Sequence, residues 1–269
     1  TKKTSPKTPK VSIVIPAYNE ESMIAGCLDV LIPQLKRGDE VIVVDNNSTD
    51  KTVKIAKKYK VRVLKESRQG QVFAQDTGFA AAKNEIIARI DADTFVMPEW
   101  LEAIRSSFKE RDVIAATGMV LPRESYFKKG PVLITRLAYE SQRLMMGSYL
   151  TFGSNCAFRK TAWKAIRNQQ MMRSDIWEDV DMGILLSRRG RVHFIKEPLA
   201  TISVRRLTGS PLTTYPYLFR LTKTYWLWGK KIAAVFSVLE RAVLIALGVP
   251  FIMIEAMLSI VFGLFRRSR

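Results

Sequence analysis

The chain has 269 residues, 47% of them hydrophobic, and carries 43 Lys and Arg against 25 Asp and Glu, a formal net charge of +18. The apolar fraction suits one large folded domain with or without an appendage, and the basic excess calls for a polyanionic partner. One histidine, His193, and two cysteines far apart, Cys27 and Cys156, exclude a zinc site of His and Cys ligands; a metal here would be held by carboxylates, which favours Mg or Mn. The two cysteines are expected as buried, reduced thiols.

Residues 1–10 (TKKTSPKTPK) are basic and almost free of apolar side chains. They lack the apolar stretch of a signal peptide and read as a disordered cytosolic lead-in. From residue 11 the pattern becomes strand, turn, helix, repeated. Residues 11–15 (VSIVI) form a short apolar run stopped by Pro16, as expected of a buried parallel strand, and a helical stretch follows over 20–31. Residues 41–44 (VIVV) predict a second buried strand, and 45–50 (DNNSTD) a turn in which Ser48 and Thr49 are N-cap candidates. A strand at 61–64, a helix over 71–83 and a strand at 85–90 (EIIARI) lead into Asp91-Ala92-Asp93, where Thr94 and Pro98 are expected to start a new helix. Such alternation indicates an α/β, mostly parallel, doubly wound sheet flanked by helices, whose ligands sit beyond the carboxyl ends of the strands. Pro16, Asp45 and Asp91 all fall at such ends.

Residues 112–203 predict a strand at 113–117, a helix over 132–146, a Gly/Ser/Asn segment (GSNCAF), a helix from near Trp177 and a strand pair flanking Glu197-Pro198. Beyond about Pro216 the chain turns aromatic and then strongly apolar, with AVLIALGVPFIMI from Ala242 and only Glu255 interrupting the run before RRSR. As one helix, 242–265 would be about 36 Å long, enough to cross a bilayer core. A single crossing would separate two basic flanks, Lys230, Lys231 and Arg241 on one side and RRSR on the other. Pro250, two residues after Gly248, offers a break, so a hairpin dipping into one leaflet, or two interfacial helices, is the preferred reading. The expected organisation is a lead-in over 1–10, a catalytic domain over 11–206 and membrane-associated helices over 207–269, placed at the cell membrane with the domain on the cytoplasmic side.

Two carboxylates one residue apart at the end of a buried strand, Asp91 and Asp93, can share a divalent cation that neutralises a diphosphate. A second cluster, Glu178, Asp179 and Asp181 in WEDVDM, opens a helix. Carboxylates this close repel, which raises a pKa and suits a general base, while the helix N-terminus partly offsets the shift.

The ordered motifs IPAYNE (15–20), VVDNNSTD (43–50), RIDADT (89–94), GSNCAFRK (153–160) and WEDVDM (177–182) resemble family 2 inverting glycosyltransferases with a GT-A fold. The resemblance covers about three-quarters of the chain, residues 11–206. It implies that Pro16, Ala17, Tyr18 and Glu20 line a nucleobase and ribose pocket, that Asp45 bonds the base, and that Ser48 and Asp50 shape the same turn. Asp91, Ala92 and Asp93 would meet ribose and metal, Asp93 being the direct ligand. Gly153, Ser154 and Asn155 would meet sugar and acceptor, beside Trp177 and Glu178. Asp179 would deprotonate the acceptor hydroxyl, or only position an acceptor that is a lipid phosphate. Arg205 and Arg206, and Arg68, would contact the donor diphosphate.

The chain departs from the family pattern in three places. Gln75, Asp76 and Gly78 stand where many relatives carry an Arg-Asn pair before the glycine. Ser203, Val204 and Arg205 stand where a histidine often completes the metal site, and His193 lies ten positions too early. The QxxRW of processive synthases is missing, so transfer of single sugars is expected. The resulting expectation is a nucleotide-diphosphate sugar donor, UDP being commonest, and a lipid-linked acceptor, a polyprenyl phosphate or glycolipid, with no nucleic acid as partner. The alternatives are a nucleotidyltransferase on a similar sheet, which would want a Gly-rich, lysine-bearing loop after the first strand, and a membrane-docked nucleotide-sugar-binding protein without turnover. A dinucleotide oxidoreductase would need GxGxxG, which is absent.

Overall fold

The computed structural model describes residues 8–123, 129–203 and 211–243. Four strands, β1 (Val11–Ala17), β2 (Glu40–Asp45), β3 (Arg62–Lys65) and β4 (Ile86–Arg89), pair in parallel in the order β3-β2-β1-β4. Their Val and Ile runs lack polar alternation because helices cover both faces. Ile13 and Ile15 of β1 pack toward α1 (Ile24–Leu31) and α4 (Trp100–Ser107), while Val14 faces α3 (Gln71–Ala81) on the other side. The short α2 (Thr52–Ala56) joins β2 to β3. Gly78 lets α3 lie close on the sheet, since a Cβ there would come within 2.4 Å of Val14 and 3.0 Å of Val44.

The sheet continues through β7 (Cys156–Arg159), antiparallel to both β4 and β6 (Val113–Pro122), then β8 (Arg191–Ile202), parallel to β6, and β5 (Thr94–Val96), antiparallel to β8. The result is a mixed eight-stranded sheet in which β7 and β5 run against the other six. Helices α5 (Lys129–Met146), α6 (Lys160–Ile166) and α7 (Glu178–Ser187) flank this half. Helices α8 (Pro211–Leu227) and α9 (Lys231–Val243) follow the sheet and pack on α7 through Val180, Ile184, Leu221, Tyr225, Ala233 and Ala234. Cys27 and Cys156 are buried free thiols, as expected.

Two expectations of local structure are corrected. The segment around Glu197-Pro198 is one twelve-residue strand rather than a pair. Its pairing with β6 shifts between Gly118↔Ile195 and Val120↔Ala200, and Pro198, which has no N–H to donate, sits in that irregularity. Thr94 starts a strand, not a helix: Thr94-Phe95-Val96 is β-branched and aromatic, pairs with β8, and defers α4 to Trp100. Arg205 and Arg206, most of the lead-in over 1–10 and almost all of the apolar run over 242–265 lie outside the described residues. Among the described residues no helix is long and apolar enough to cross a membrane.

Candidate active site

Three loops meet beyond the carboxyl ends of β1, β2 and β3. Ser48 and Thr49, expected as helix caps, instead join two of them: the Asn19 N–H donates to Ser48 Oγ (3.0 Å) and the Thr49 N–H to Asn19 Oδ1 (2.8 Å). Helix α2 begins later, at Thr52, with no side-chain cap. Asn19 (φ 52°) and Asn47 (φ 67°) take the left-handed conformation that asparagine tolerates. Asp45, nearly buried, accepts the Ser48 N–H (3.1 Å), and Asp50 accepts the Glu21 N–H (3.0 Å). Glu20 is buried, whereas Tyr18 is half exposed beside it.

Asn46, given no role by sequence reasoning, fastens this assembly. Its Nδ2 donates to the carbonyls of Glu66 (3.0 Å) and Arg68 (2.7 Å), and its Oδ1 accepts the Gly70 N–H (2.8 Å). Its own N–H donates to the Ala17 carbonyl (2.9 Å), so one buried residue ties the ends of β1 and β2 to the loop ahead of α3. Arg68 lies in that loop with an exposed side chain, paired to both oxygens of Glu66 (3.0 Å each) and placed over the Phe73 ring. The guanidinium contact pulls the Glu66 carboxyl down to about 2.

The centre of the site is a second residue without a sequence-assigned role. Arg89, the last residue of β4, is 1% exposed and faces three carboxylates. Its Nη2 donates to Asp91 Oδ1 (2.8 Å) and lies 3.6 Å from Glu178 Oε1, while Nη1 lies 3.9 Å from Asp179 Oδ2. Antiparallel pairing of β4 with β7 sets Arg89 opposite Cys156, which brings the segment before β7 alongside it. A Cβ at Gly153 would stand 1.2 Å from Arg89 Nη1, so any side chain there would have to push the guanidinium aside. The Gly153 N–H donates to Asp179 Oδ2 (2.8 Å), so the glycine holds the carboxylate and makes room for the cation. Asn155 points into the core: it is buried, its Oδ1 accepts the Trp100 Nε1–H (2.8 Å) and its Nδ2 donates to the Met119 carbonyl (3.3 Å). That commits its amide to the fold rather than to an acceptor. Ser154 is partly buried between them.

Helix α7 carries the remaining carboxylates on two faces. Glu178 accepts from the buried Gln75 (2.8 Å), one of the positions that departs from the family pattern. Asp179 bonds Gly153 and, through Oδ1, the Val180 N–H (2.9 Å). Asp181 turns away and is fully buried, accepting the Met171 N–H (2.9 Å) and the Trp228 Nε1–H (2.8 Å); it holds α8 to α7 and stands apart from the pair. Trp177, just before the helix, donates its backbone N–H to Thr224 Oγ1 of α8 (2.9 Å). Burial, with Asp179 next to it, pushes the Glu178 carboxyl up to about 7 against the pull of Arg89. Burial also raises Asp179, and Arg89 and the Gly153 N–H oppose the rise.

One guanidinium against three carboxylates leaves negative charge at the mouth of β4. Asp91, also bonded by Gln71 (3.0 Å), is partly exposed; Ala92 and Asp93 are buried in the turn. Among the described residues no three His, Cys, Asp or Glu side chains form a closed metal cage. Magnesium-class ions are commonly held by one or two carboxylates plus water and substrate phosphate, and the hard oxygens of Asp91 and Asp93 fit that class.

The sheet order and this cleft can be set beside known proteins. The chain is 32% identical over 114 residues to the putative glycosyltransferase EpsH of Bacillus subtilis, covering 40% of this chain and 33% of that one. The match thus spans about a third of that relative's length. In fold it is similar to the mannosyltransferase PcManGT from Pyrobaculum calidifontis, solved in complex with GDP-Man and Mn2+, with a TM-score of 0.62 at 18% identity over 95% of this chain and 81% of that one. It is also similar to glucosyl-3-phosphoglycerate synthase from Mycobacterium tuberculosis, solved with Mn2+, UDP and phosphoglyceric acid, with a TM-score of 0.54 at 20% identity over 76% and 72% of the two chains. The model of glycosyl transferase family 2 matches residues 12–167, from β1 through α6, which includes the three joined loops, Arg89 with its neighbouring carboxylate pair, and Gly153. On that match, the chain belongs to glycosyl transferase family 2.

Proposed function

We propose that the chain transfers a single sugar from a nucleotide-diphosphate sugar to a lipid-linked acceptor, with inversion and with Mg2+ or Mn2+ on the donor side. The observation that carries this reading is the convergence on Arg89 of a carboxylate from the donor motif, Asp91, and two from the later motif, Glu178 and Asp179. The GDP-Man, UDP and Mn2+ named for the two similar structures support the donor and metal classes. In this reading Pro16, Ala17, Tyr18, Glu20, Asp45 and Ser48 receive the nucleoside, and Asp91 and Asp93 hold the cation that offsets diphosphate charge when bound. Gly153, Ser154, Trp177 and Glu178 border the acceptor. Asp179 takes the proton of the acceptor hydroxyl as its oxygen bonds to the anomeric carbon; the bond from that carbon to the diphosphate oxygen breaks, and the nucleoside diphosphate leaves with the electron pair. The +18 charge and the apolar run over 242–265 support placement at the cytoplasmic face of the cell membrane, where lipid-linked acceptors are confined.

The test is hydrolysis of a panel of nucleotide sugars with Mg2+ or Mn2+. Wild type is expected to release nucleoside diphosphate from at least one donor, and Asp93→Ala to lose about 10²–10³-fold of that metal-dependent rate. Binding without turnover on every donor would favour a nucleotide-sugar-binding protein, and pyrophosphate release from a nucleoside triphosphate and a sugar phosphate would favour a nucleotidyltransferase.

A pH profile offers a separate check. A reaction that needs Asp179 ionised should accelerate with rising pH above the ordinary carboxylate range, because burial raises the Asp179 carboxyl beside a likewise raised Glu178. Glu178→Gln removes the neighbouring negative charge and should move the inflection to lower pH. An inflection unmoved by that change would detach the profile from this pair. Stability should run the other way. The folded chain keeps a proton on Glu178 that the unfolded chain has released near 4.5, so native stability falls as pH rises from 4.5 to about 7.

A further inference from the structure

Helix α9 is built inside out. Among its described side chains the small ones, Ala233, Ala234 and Ser237, are buried, and they let it lie close against α8, where Ser237 and Thr222 share a hydrogen bond of 2.8 Å. Its large apolar residues face solvent: Ile232 is 83% exposed, Val235 58%, Phe236 40% and Leu239 59%. A surface helix of a water-soluble domain turns its apolar stripe toward the core. More than half of the exposed large hydrophobic side chains among the described residues stand on this α8–α9 hairpin, Phe219 and Trp226 (58% each) being on α8.

The charge on the hairpin selects what covers it. From Pro211 to Val243 the sequence holds Arg220, Lys223, Lys230, Lys231 and Arg241 against Glu240, and of these cations Lys223 is paired with Asp175 ahead of α7. A second copy docked face to face would oppose these cations with one another, whereas an anionic surface complements them. The Lys231 ammonium lies 5.8 Å over the ring of Trp226, an aromatic and cationic pair of the kind enriched at the boundary of a bilayer. The chain leaves α9 directly into the apolar run that extends to residue 265.

We propose that the outward face of the α8–α9 hairpin beds into the interfacial layer of an anionic bilayer, lying along it. The inner side of the same hairpin holds the amino end of α7, through Thr224 to the Trp177 N–H (2.9 Å) and Trp228 to Asp181 (2.8 Å). Seating the hairpin therefore fixes the height of Glu178 and Asp179 above the lipid surface. The docking itself stands without the glycosyltransfer reading; its consequence for acceptor delivery rests on that reading.

The full chain is to be sedimented with phosphatidylcholine vesicles, with and without phosphatidylglycerol. Wild type should bind the anionic vesicles more tightly, and Ile232→Glu/Phe236→Glu, which keeps residues 244–269 intact, should bind about tenfold or more weakly. An environment-sensitive fluorophore on Val235→Cys should shift to the blue on adding anionic vesicles. Unchanged binding by the double variant, or a probe that stays wet, means that the following segment docks alone and overturns the inference. A dimer that dissociates in the double variant, with vesicle binding unaltered, assigns the face to a second copy and overturns it equally. Donor hydrolysis measured on the same samples without vesicles reports the glycosyltransfer reading by itself, so the two can fail separately.

Discussion

Asp179→Asn is expected to lower kcat for transfer to a hydroxyl acceptor by about 10²–10⁴-fold, while donor affinity stays within about threefold. The substitution keeps the shape of the side chain, and an amide oxygen can still accept the Gly153 N–H that now bonds Asp179 Oδ2 at 2.8 Å. It removes the capacity to take a proton, the charge that faces Arg89 at 3.9 Å, and the oxygen that accepts the Val180 N–H at 2.9 Å, a local bond at the start of α7. Steady-state rates on paired acceptors sharpen the test. An acceptor phosphate carries its nucleophilic oxygen already ionised, so its loss should shrink to what positioning supplies. Equal losses on both acceptors would make Asp179 a positioning group. No loss on either would remove it from the mechanism.

Gly153→Ala is expected to cost both stability and activity, although it adds a single methyl group. The methyl carbon would fall 1.2 Å from Arg89 Nη1, inside any contact distance, in the turn just ahead of β7, where the Gly153 N–H is also bonded to Asp179. The guanidinium must then leave, and Asp91, Glu178 and Asp179 lose the cation between them. Removing one member of a buried ion cluster costs about 3–5 kcal/mol, which for a domain of this size lowers the thermal midpoint by roughly 6–20 °C. A thermal melt reads the first effect and a transfer assay the second. A double-mutant cycle identifies the cause: in an Arg89→Met background, where the guanidinium is already gone, the added methyl should cost much less than in wild type. Equal penalties in the two backgrounds would place the fault of the alanine somewhere other than Arg89.

Much of the site was legible because strand ends are legible. Buried Val and Ile runs stopped by Pro16, Asp45 and Asp91 located the cleft, and the motif order supplied the family. Arg89 was not legible as a functional residue. In EIIARI it reads as one polar position in a strand, and its partners Glu178 and Asp179 lie some ninety residues on, brought to it by the Gly153 N–H ahead of β7 and by Gln75 of α3. The sole local hint was a buried-strand pattern broken by a charge just before a carboxylate. Asn46 was hidden differently: turns are rich in asparagine, and only its burial and its three side-chain bonds set it apart from the half-buried Asn47 beside it, which reaches Ser67 and Gln69. Asn155 shows the opposite failure, since a Gly-Ser-Asn segment suggests a polar wall, yet the backbone aims the asparagine at Trp100. Asp181 stands two residues beyond Asp179 on the same helix, so the two project in different directions, which splits a carboxylate cluster that looks continuous on paper.

The three hydrogen bonds of the Asn46 side chain bear on the thermodynamics of nucleotide entry. Loops that each had to freeze on contact would subtract their ordering entropy from the affinity. Here the ends of β1 and β2 and the approach to α3 are cross-braced by one amide, so on the proposed donor reading the loops need no ordering when a nucleotide arrives. Association should then resemble a key entering a preset lock, with little folding coupled to it. Discrimination among bases would rest on the fixed spacing of that frame.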